Sequence, residues 1–340
     1  MKCNLDCSYC GVGIYKGHDN STAHPPLDQC LSSIDFMYEY VDRIMSSKPK
    51  GIQYVNFNVY GGEALHHPDI VTILQEVHSR YRAKTRNWHL TVTTTTNAII
   101  APHRLAAVIP LIDEFTVSYH TENSDKQKQQ FRDNLITIRD SGRRLKCVVL
   151  MHNEHEMFRD AMNQIEWLKE SNIRCLPRQL DDSTNARRNY ESQEIKWFNK
   201  LYPESNIPED GKINLSDYGR ACCGGRSLCL NGNQRDRQHY ITDNKFTDWY
   251  CSVDKFFLYV KQVTGEVFVN KDCKMNYQGD VGPIGHLTDT QAILNAVGTT
   301  PTIQCKKYNC MCGLCAPKSQ DLDTYNTIMR KYEIPSHHLL

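Results

Sequence analysis

The 340-residue chain has no long hydrophobic run. Its longest apolar stretch, Leu105 to Ile112, is interrupted by Pro110, and a membrane-spanning helix needs roughly 18 apolar residues or more. It also lacks an excess of charge of either sign. Forty Lys plus Arg stand against 39 Asp plus Glu, a formal net charge of +1. Such balance gives no electrostatic footprint for nucleic acid or acidic lipid, so neither nucleic acid nor a membrane is an expected partner. The first cysteine is already residue 3, which leaves no export signal to expect and makes the cytoplasm the expected compartment. Disulfides are rare there, and 15 cysteines, an odd number, do not form a complete pairing. Metal binding, catalysis and burial remain as reasons for them. At about 150 residues per domain the length suggests two domains.

Apolar periodicity alternates along the first two thirds. Helices are expected at residues 20–46, 70–82, 102–111, 125–141, 155–171 and near 190–201. Strands are expected at 52–60, 88–96, 114–119, 144–151 and 173–180. A strand–helix period on the order of thirty residues is that of a βαβ unit and argues for a parallel sheet covered by helices. Either an α/β barrel, complete or partial, or an open doubly wound sheet fits. Beyond Leu201 the pattern lapses into Pro-, Gly-, Asp- and Asn-rich sequence. Two short strand-like runs, 256–260 and 266–270, then flank Thr264-Gly265 as a hairpin.

The cysteines are unevenly spread. Cys3, Cys7, Cys10 and Cys30 open the chain, Cys147 and Cys175 lie in its middle, and Cys222, Cys223, Cys229, Cys251, Cys273, Cys305, Cys310, Cys312 and Cys315 crowd its last third. Cys30, Cys147 and Cys175 sit in apolar or amphipathic surroundings and are expected to pack as small core residues. Cys3-Asn-Leu-Asp-Cys7-Ser-Tyr-Cys10 places three thiolates within eight residues. A structural metal site normally takes four protein ligands. Three leave one coordination position open, as catalysis requires. The alternative is zinc with a distant fourth ligand such as His18.

CxxxCxφC, with Tyr9 as the aromatic φ, resembles the signature of the radical S-adenosylmethionine (radical SAM) superfamily. The resemblance implies that Cys3, Cys7 and Cys10 hold a [4Fe-4S] cluster whose fourth iron is chelated by S-adenosyl-L-methionine. One electron, from a donor such as flavodoxin or ferredoxin, then yields a 5′-deoxyadenosyl radical that abstracts hydrogen from substrate. The protein's tasks are binding, orientation and exclusion of water. The implied fold is α/β, a partial (β/α)6 barrel. Its first strand is expected to be short or absent, since only Met1 and Lys2 precede Cys3.

Further positions carry the resemblance. Gly61-Gly62-Glu63 follows an expected strand and is similar to the family's GGE motif, which holds the amino group of S-adenosylmethionine. Two glycines allow close backbone approach and a carboxylate can pair with an ammonium. Thr94-Thr95-Thr96-Asn97 partly matches a Thr-Asn-Gly strand end, with Ala98 in place of Gly. Ser118 stands where the family carries a Ser contacting the ribose or methionine part. His120 and Arg178 are further cofactor-binding candidates, with Tyr9, Gly61, Gly62, Glu63, Asn97 and Ser118; an ordinary loop histidine and an ion pair to Asp181 or Asp182 are the other readings of these two. Apart from Tyr9, these residues fall at the carboxyl ends of expected strands, or directly after them, where α/β proteins build their sites.

The last third resembles the SPASM and twitch extensions of the family, small cysteine-rich domains with a β-hairpin and auxiliary Fe-S clusters. One auxiliary cluster is expected from Cys251, Cys273 and two of Cys305, Cys310, Cys312 and Cys315. Cys222, Cys223 and Cys229 either ligate a second cluster or none, and a zinc knuckle at Cys310 to Cys315 is the competing assignment. The expected organisation is a barrel over 1–205, a connecting region over 206–250 and the extension over 251–340. Three functions follow: a radical SAM enzyme modifying a peptide or protein, one acting on a small molecule such as a nucleotide, sugar or cofactor precursor, and a non-enzymatic Fe-S or zinc protein. The GGE motif argues against the last, since an electron carrier needs no ammonium site.

Overall fold

The computed structural model describes residues 3–5, 7–9, 24–46, 53–180, 194, 196–197, 247–251, 253, 257–269, 282–296, 303–305 and 318–331. Cys10, His18, Cys222, Cys223, Cys229, Cys273, Cys310, Cys312 and Cys315 lie outside them, as does most of the helix expected near 190–201.

Strands β1 (Gln53–Val59), β2 (Trp88–Thr96), β3 (Glu114–Tyr119), β4 (Arg144–Met151) and β5 (Arg174–Gln179) form one sheet in the order β1-β2-β3-β4-β5. The ladders from β2 to β5 are parallel, with Thr96 beside Val117, Val117 beside Cys147 and Cys147 beside Cys175. Each pair is joined through a helix, as parallel neighbours require. Alternation within β3 buries Phe115, Val117 and Tyr119, and β4 buries Cys147, Val149 and Met151. This is the helix-flanked parallel sheet of a partial (β/α) barrel.

Local chemistry sets the helix ends. In α4 (Asp125–Asp140) Ser124 and Gln127 make a reciprocal capping box, and Phe131, Leu135 and Ile138 form the buried stripe. Helix α5 (His155–Glu170) buries Phe158, Ala161, Ile165 and Leu168. It stops at Asn172, whose left-handed φ of 54° lets the chain turn directly into β5. The helix expected over 70–82 forms as α2 (Ile70–Arg82), whereas the one expected over 102–111 is shorter: α3 spans Pro102–Val108 and gives way to a 3-10 turn at Ile109–Leu111. Pro110 has no N–H to offer an α-helical bond. Cys30 and Cys147 are buried and Cys175 half-buried.

Contacts divide the chain into two compact units. One comprises 1–24, 56–75 and 90–224, the other 25–55, 76–89 and 225–340. In the second, Phe36 and Tyr40 of α1 (Leu27–Ser46) join an apolar cluster with Val260, Val267, Ile293 and Leu294. Strand β7 (Tyr259–Lys261) pairs antiparallel with β8 (Glu266–Phe268), and β8 with β9 (Gly285–His286). The expected hairpin is therefore present, turning at Gly265 (φ 75°). A Cβ there would lie 2.7 Å from the His286 ring, so glycine is required on two counts. A second small sheet runs β10 (Ile303–Gln304), β6 (Tyr250–Cys251), β11 (Lys318–Ser319). Helices α6 (Thr290–Ala296) and α7 (Leu322–Lys331) complete the described elements. No helix among the described residues is long and apolar enough to cross a membrane.

Candidate active site

The carboxyl end of β2 is the hub. Thr94 Oγ1 donates to Val59 O at 2.9 Å, binding the ends of β1 and β2 together. Glu63, almost wholly buried, caps the 3-10 turn Ala64–His66 by accepting from Leu65 N at 3.2 Å. The same carboxylate accepts from Thr96 Oγ1 and from Asn97 N, each at 2.7 Å. Burial pushes its carboxyl above the ordinary range, and the bonds from Asn97, Thr96 and Leu65 pull the other way. Gly61 (φ 113°) and Gly62 (φ 50°) lead into it with positive φ at both positions, which leaves backbone exposed to a ligand without side-chain obstruction. Glu63 thus has a structural duty that its motif did not announce: it latches the loop after β1 to the end of β2.

The network then reaches the first cysteines. Asn97 closes a local turn by accepting from Ile99 N at 2.9 Å, and its amide donates to Asn4 Oδ1 at 2.7 Å. Asn4 Nδ2 donates back to Ile99 O at 3.1 Å. Ala98 is fully buried with φ 55°, a left-handed conformation that suits glycine. Asn134 of α4 holds the segment by donating to Ala98 O and Ile100 O, both at 2.8 Å.

A second anchor comes from the loop after β3. Cys7 Sγ lies 3.4 Å from His120 Nδ1 and the Tyr9 hydroxyl 3.1 Å from the same nitrogen. The Tyr9 and His120 rings are parallel to within 4° at 5.9 Å, and His152 is tilted against Tyr9 at 5.8 Å. Burial drives the His120 imidazole down to about 4, with Glu122 opposing. Glu122 accepts from Ser8 N at 2.7 Å and from Ser8 Oγ.

Cys3 is exposed and Cys7 half-buried. Thiols on a loop whose intervening Asn4 and Ser8 bond away into the protein are a donor set that fits an iron-sulfur cluster, with Cys10 outside the described residues. Tyr9, Asn97 and His120 therefore share this neighbourhood through direct bonds. Ser118 is half-buried on β3 and Arg178 exposed on the edge strand β5; among the described residues neither side chain bonds to this network. Sequence reading missed Asn4, Ser8, Glu122 and His152. Polar residues interleaved between candidate ligands were the signal for the first two.

In the last third, Cys251 and Cys305 are buried in one apolar cluster with Trp249, Val253, Val269 and Ile303. Cys251 is opposite Ile303, and Cys305 N donates to Trp249 O at 2.8 Å. Opposed residues share a face, so the two cysteines stand diagonally on one face of this small sheet.

No family model matches the chain, and no curated protein matches it. Solved structures do. That of Streptococcus suis SuiB bound to precursor peptide SuiA is 12% identical, with 87% of this chain and 62% of that one aligned at a TM-score of 0.51. That of native anSMEcpe with bound AdoMet and Cp18Cys peptide is 13% identical, over 86% of this chain and 77% of that one, at a TM-score of 0.50. The chain spans about six tenths of the SuiB chain. At these identities the likeness is one of fold alone, in keeping with the helix-flanked parallel sheet described above.

Proposed function

We propose that the chain is a radical SAM enzyme whose N-terminal cysteines hold the catalytic cluster. The observation that carries this is one continuous hydrogen-bonded path, Glu63 to Asn97 to Asn4, joining the GGE loop, the Thr-Thr-Asn strand end and the cysteine loop. Three motifs separated by up to ninety residues meet at the carboxyl ends of neighbouring strands, where α/β folds place their chemistry.

When bound, a [4Fe-4S] cluster with S-adenosylmethionine supplies one-electron cleavage of the sulfonium and a 5′-deoxyadenosyl radical that takes hydrogen from substrate. The chain's own residues position and shield. Cys3, Cys7 and Cys10 hold the metal, and Gly61 and Gly62 let the backbone approach the cofactor. Glu63 and Asn97 fix the loops that frame it, and Tyr9 covers the side facing His152. Ser118 and Arg178 complete the cofactor pocket. Cys251 and Cys305, with Cys273 and one of Cys310, Cys312 and Cys315, hold an auxiliary cluster in the 251–340 extension. An external flavodoxin or ferredoxin delivers the electron.

A peptide or protein is the favoured substrate class, because both fold neighbours were solved with a peptide bound. The test is anaerobic reconstitution, reduction with dithionite and assay for 5′-deoxyadenosine. Formation above a Cys7→Ala control is expected; none above that control sinks the enzyme reading. Iron of about eight atoms per chain is expected for two clusters, and about four would remove the auxiliary one.

A further inference from the structure

Three consecutive residues of the cysteine loop, Cys7, Ser8 and Tyr9, are each held by the stretch directly after β3. Cys7 and Tyr9 meet His120, and Ser8 meets Glu122 through both its backbone N–H and its hydroxyl. One of these contacts is to the sulfur itself. We propose that His120 donates its Nδ1–H to the Cys7 thiolate and so raises the reduction potential of the cluster bound there, with Glu122 as the residue that keeps the turn in register.

The donor direction follows from chemistry. A metal-bound thiolate carries no proton, so a hydrogen bond across the 3.4 Å gap can only be given by the imidazole. A hydrogen bond to a cluster sulfur stabilises the electron-rich reduced state more than the oxidised one, and such bonds are among the levers that set cluster potentials. The geometry is fixed from both sides. Parallel stacking on Tyr9 and the 3.1 Å contact to its hydroxyl oxygen, which accepts a share of the same Nδ1–H, restrain the His120 ring, while the Glu122 carboxylate grips Ser8 next to the sulfur. Partners of this kind orient a ligand as well as tune it. His120 is thereby a positioning and tuning residue acting through Cys7, a role different from direct contact with S-adenosylmethionine. The inference rests on the cluster reading above.

The test uses the full chain labelled with ¹⁵N-histidine, reconstituted anaerobically and reduced without S-adenosylmethionine. The N-terminal cluster is the one whose EPR signal changes when S-adenosylmethionine is added. Pulsed EPR on that signal should give a weak histidine-nitrogen coupling in the wild type and none in His120→Gln. Redox titration should give a more negative midpoint in His120→Phe, with His120→Gln, which retains an amide donor, lying between. Absence of any histidine coupling in the wild type overturns the proposal. So does the large coupling of an imidazole nitrogen bound directly to iron, or a His120→Phe midpoint equal to the wild type's. Should His120→Phe not assemble its cluster, the wild-type coupling and the His120→Gln midpoint decide. Wild-type protein that takes up no iron at all removes the cluster reading first, and the hydrogen bond with it.

Discussion

The two cysteine regions put the same side chain in opposite surroundings. Cys3 and Cys7 stand on a loop, exposed and half-buried, beside Asn4, Ser8, His120 and Glu122. Cys251 and Cys305 stand on paired strands, 3% and 5% exposed, among Trp249, Val253, Val269 and Ile303. The first arrangement fixes its loop by directional bonds and keeps Cys3 exposed, which suits a cluster that must meet a cofactor. The second fixes them by apolar packing, which suits a cluster that exchanges electrons and nothing else. What separates the two is therefore the neighbours each thiol keeps, and burial alone would misjudge both.

The largest contrast should come from removing one thiol of each kind. Cys7→Ser is expected to abolish 5′-deoxyadenosine formation while leaving the apo-protein's urea midpoint almost unmoved, since a half-buried loop position contributes within about 0.5 kcal/mol. Cys305→Ser places a hydroxyl in an apolar cluster and should cost about 1–3 kcal/mol. It should also lower iron by about four atoms per chain, with S-adenosylmethionine cleavage retained. Cys305→Ser protein that is destabilised but keeps all its iron would make Cys305 a core residue only, and the auxiliary cluster would have to be held by other cysteines of the last third.

Next in size is Glu63→Gln. The carboxylate accepts from Leu65 N and Thr96 Oγ1 on one oxygen and from Asn97 N on the other. A carboxamide has one acceptor oxygen, so its NH₂ must face a backbone or hydroxyl donor. The expected loss is about 1–3 kcal/mol by denaturant unfolding, with weaker S-adenosylmethionine binding by calorimetry. Unaltered stability would mean that the latch between the GGE loop and β2 contributes nothing, and that the polar region is held by something else.

A smaller effect, of opposite sign, is expected at Ala98, where the strand end departs from Thr-Asn-Gly. With φ at 55° and the side chain fully buried, left-handed strain of about 1 kcal/mol outweighs the extra unfolded-state freedom that glycine brings. Ala98→Gly should therefore raise stability by roughly 0.5 kcal/mol, read as an upward shift in Tm. A fall in Tm would show that the Ala98 methyl packs more than its backbone strains.

How much of this could be read beforehand differs by element. The limits of β2, β3 and β4 follow from runs of β-branched and alternating residues and coincide with the expected ones. The hairpin is legible in Thr264-Gly265, because a positive φ leaves a mark on composition. The early end of α3 was written in Pro110, which falls inside the helix expected over 102–111. What periodicity cannot supply is the partner of an apolar face. The stripe of α1 was plain, yet that Phe36 and Tyr40 meet Val260 and Val267 depends on pairing across more than two hundred residues. The same holds for the site. Cys3, Cys7, Gly61, Gly62 and Glu63 were found by spacing, whereas Ser8 and Glu122 are joined by a bond between segments 114 residues apart, and nothing in either segment names the other.

The smallest effect should lie in the hairpin of the C-terminal region, where apolar packing and not polar bonding is expected to carry stability. Glu266 accepts from Thr264 Oγ1 at 2.7 Å and from Lys261 Nζ at 3.1 Å, and the Thr264 bond first, then Lys261, holds its carboxyl below the usual range. A carboxyl depressed in the folded state contributes stability that is present above its unfolded pKa and is lost as pH falls through the folded one. The pair is partly exposed at the surface, so the contribution is that of a surface ion pair, about 0.2–1 kcal/mol. Glu266→Gln should therefore lie below wild type by that amount at pH 7, and the two should converge as the pH is lowered through the carboxylate range. Denaturant midpoints from pH 3 to pH 7 read this directly. A pH-independent gap, or one above about 2 kcal/mol, would mean that the hairpin depends on directional bonds as the N-terminal loop does, and the contrast between the two regions would fail at its far end.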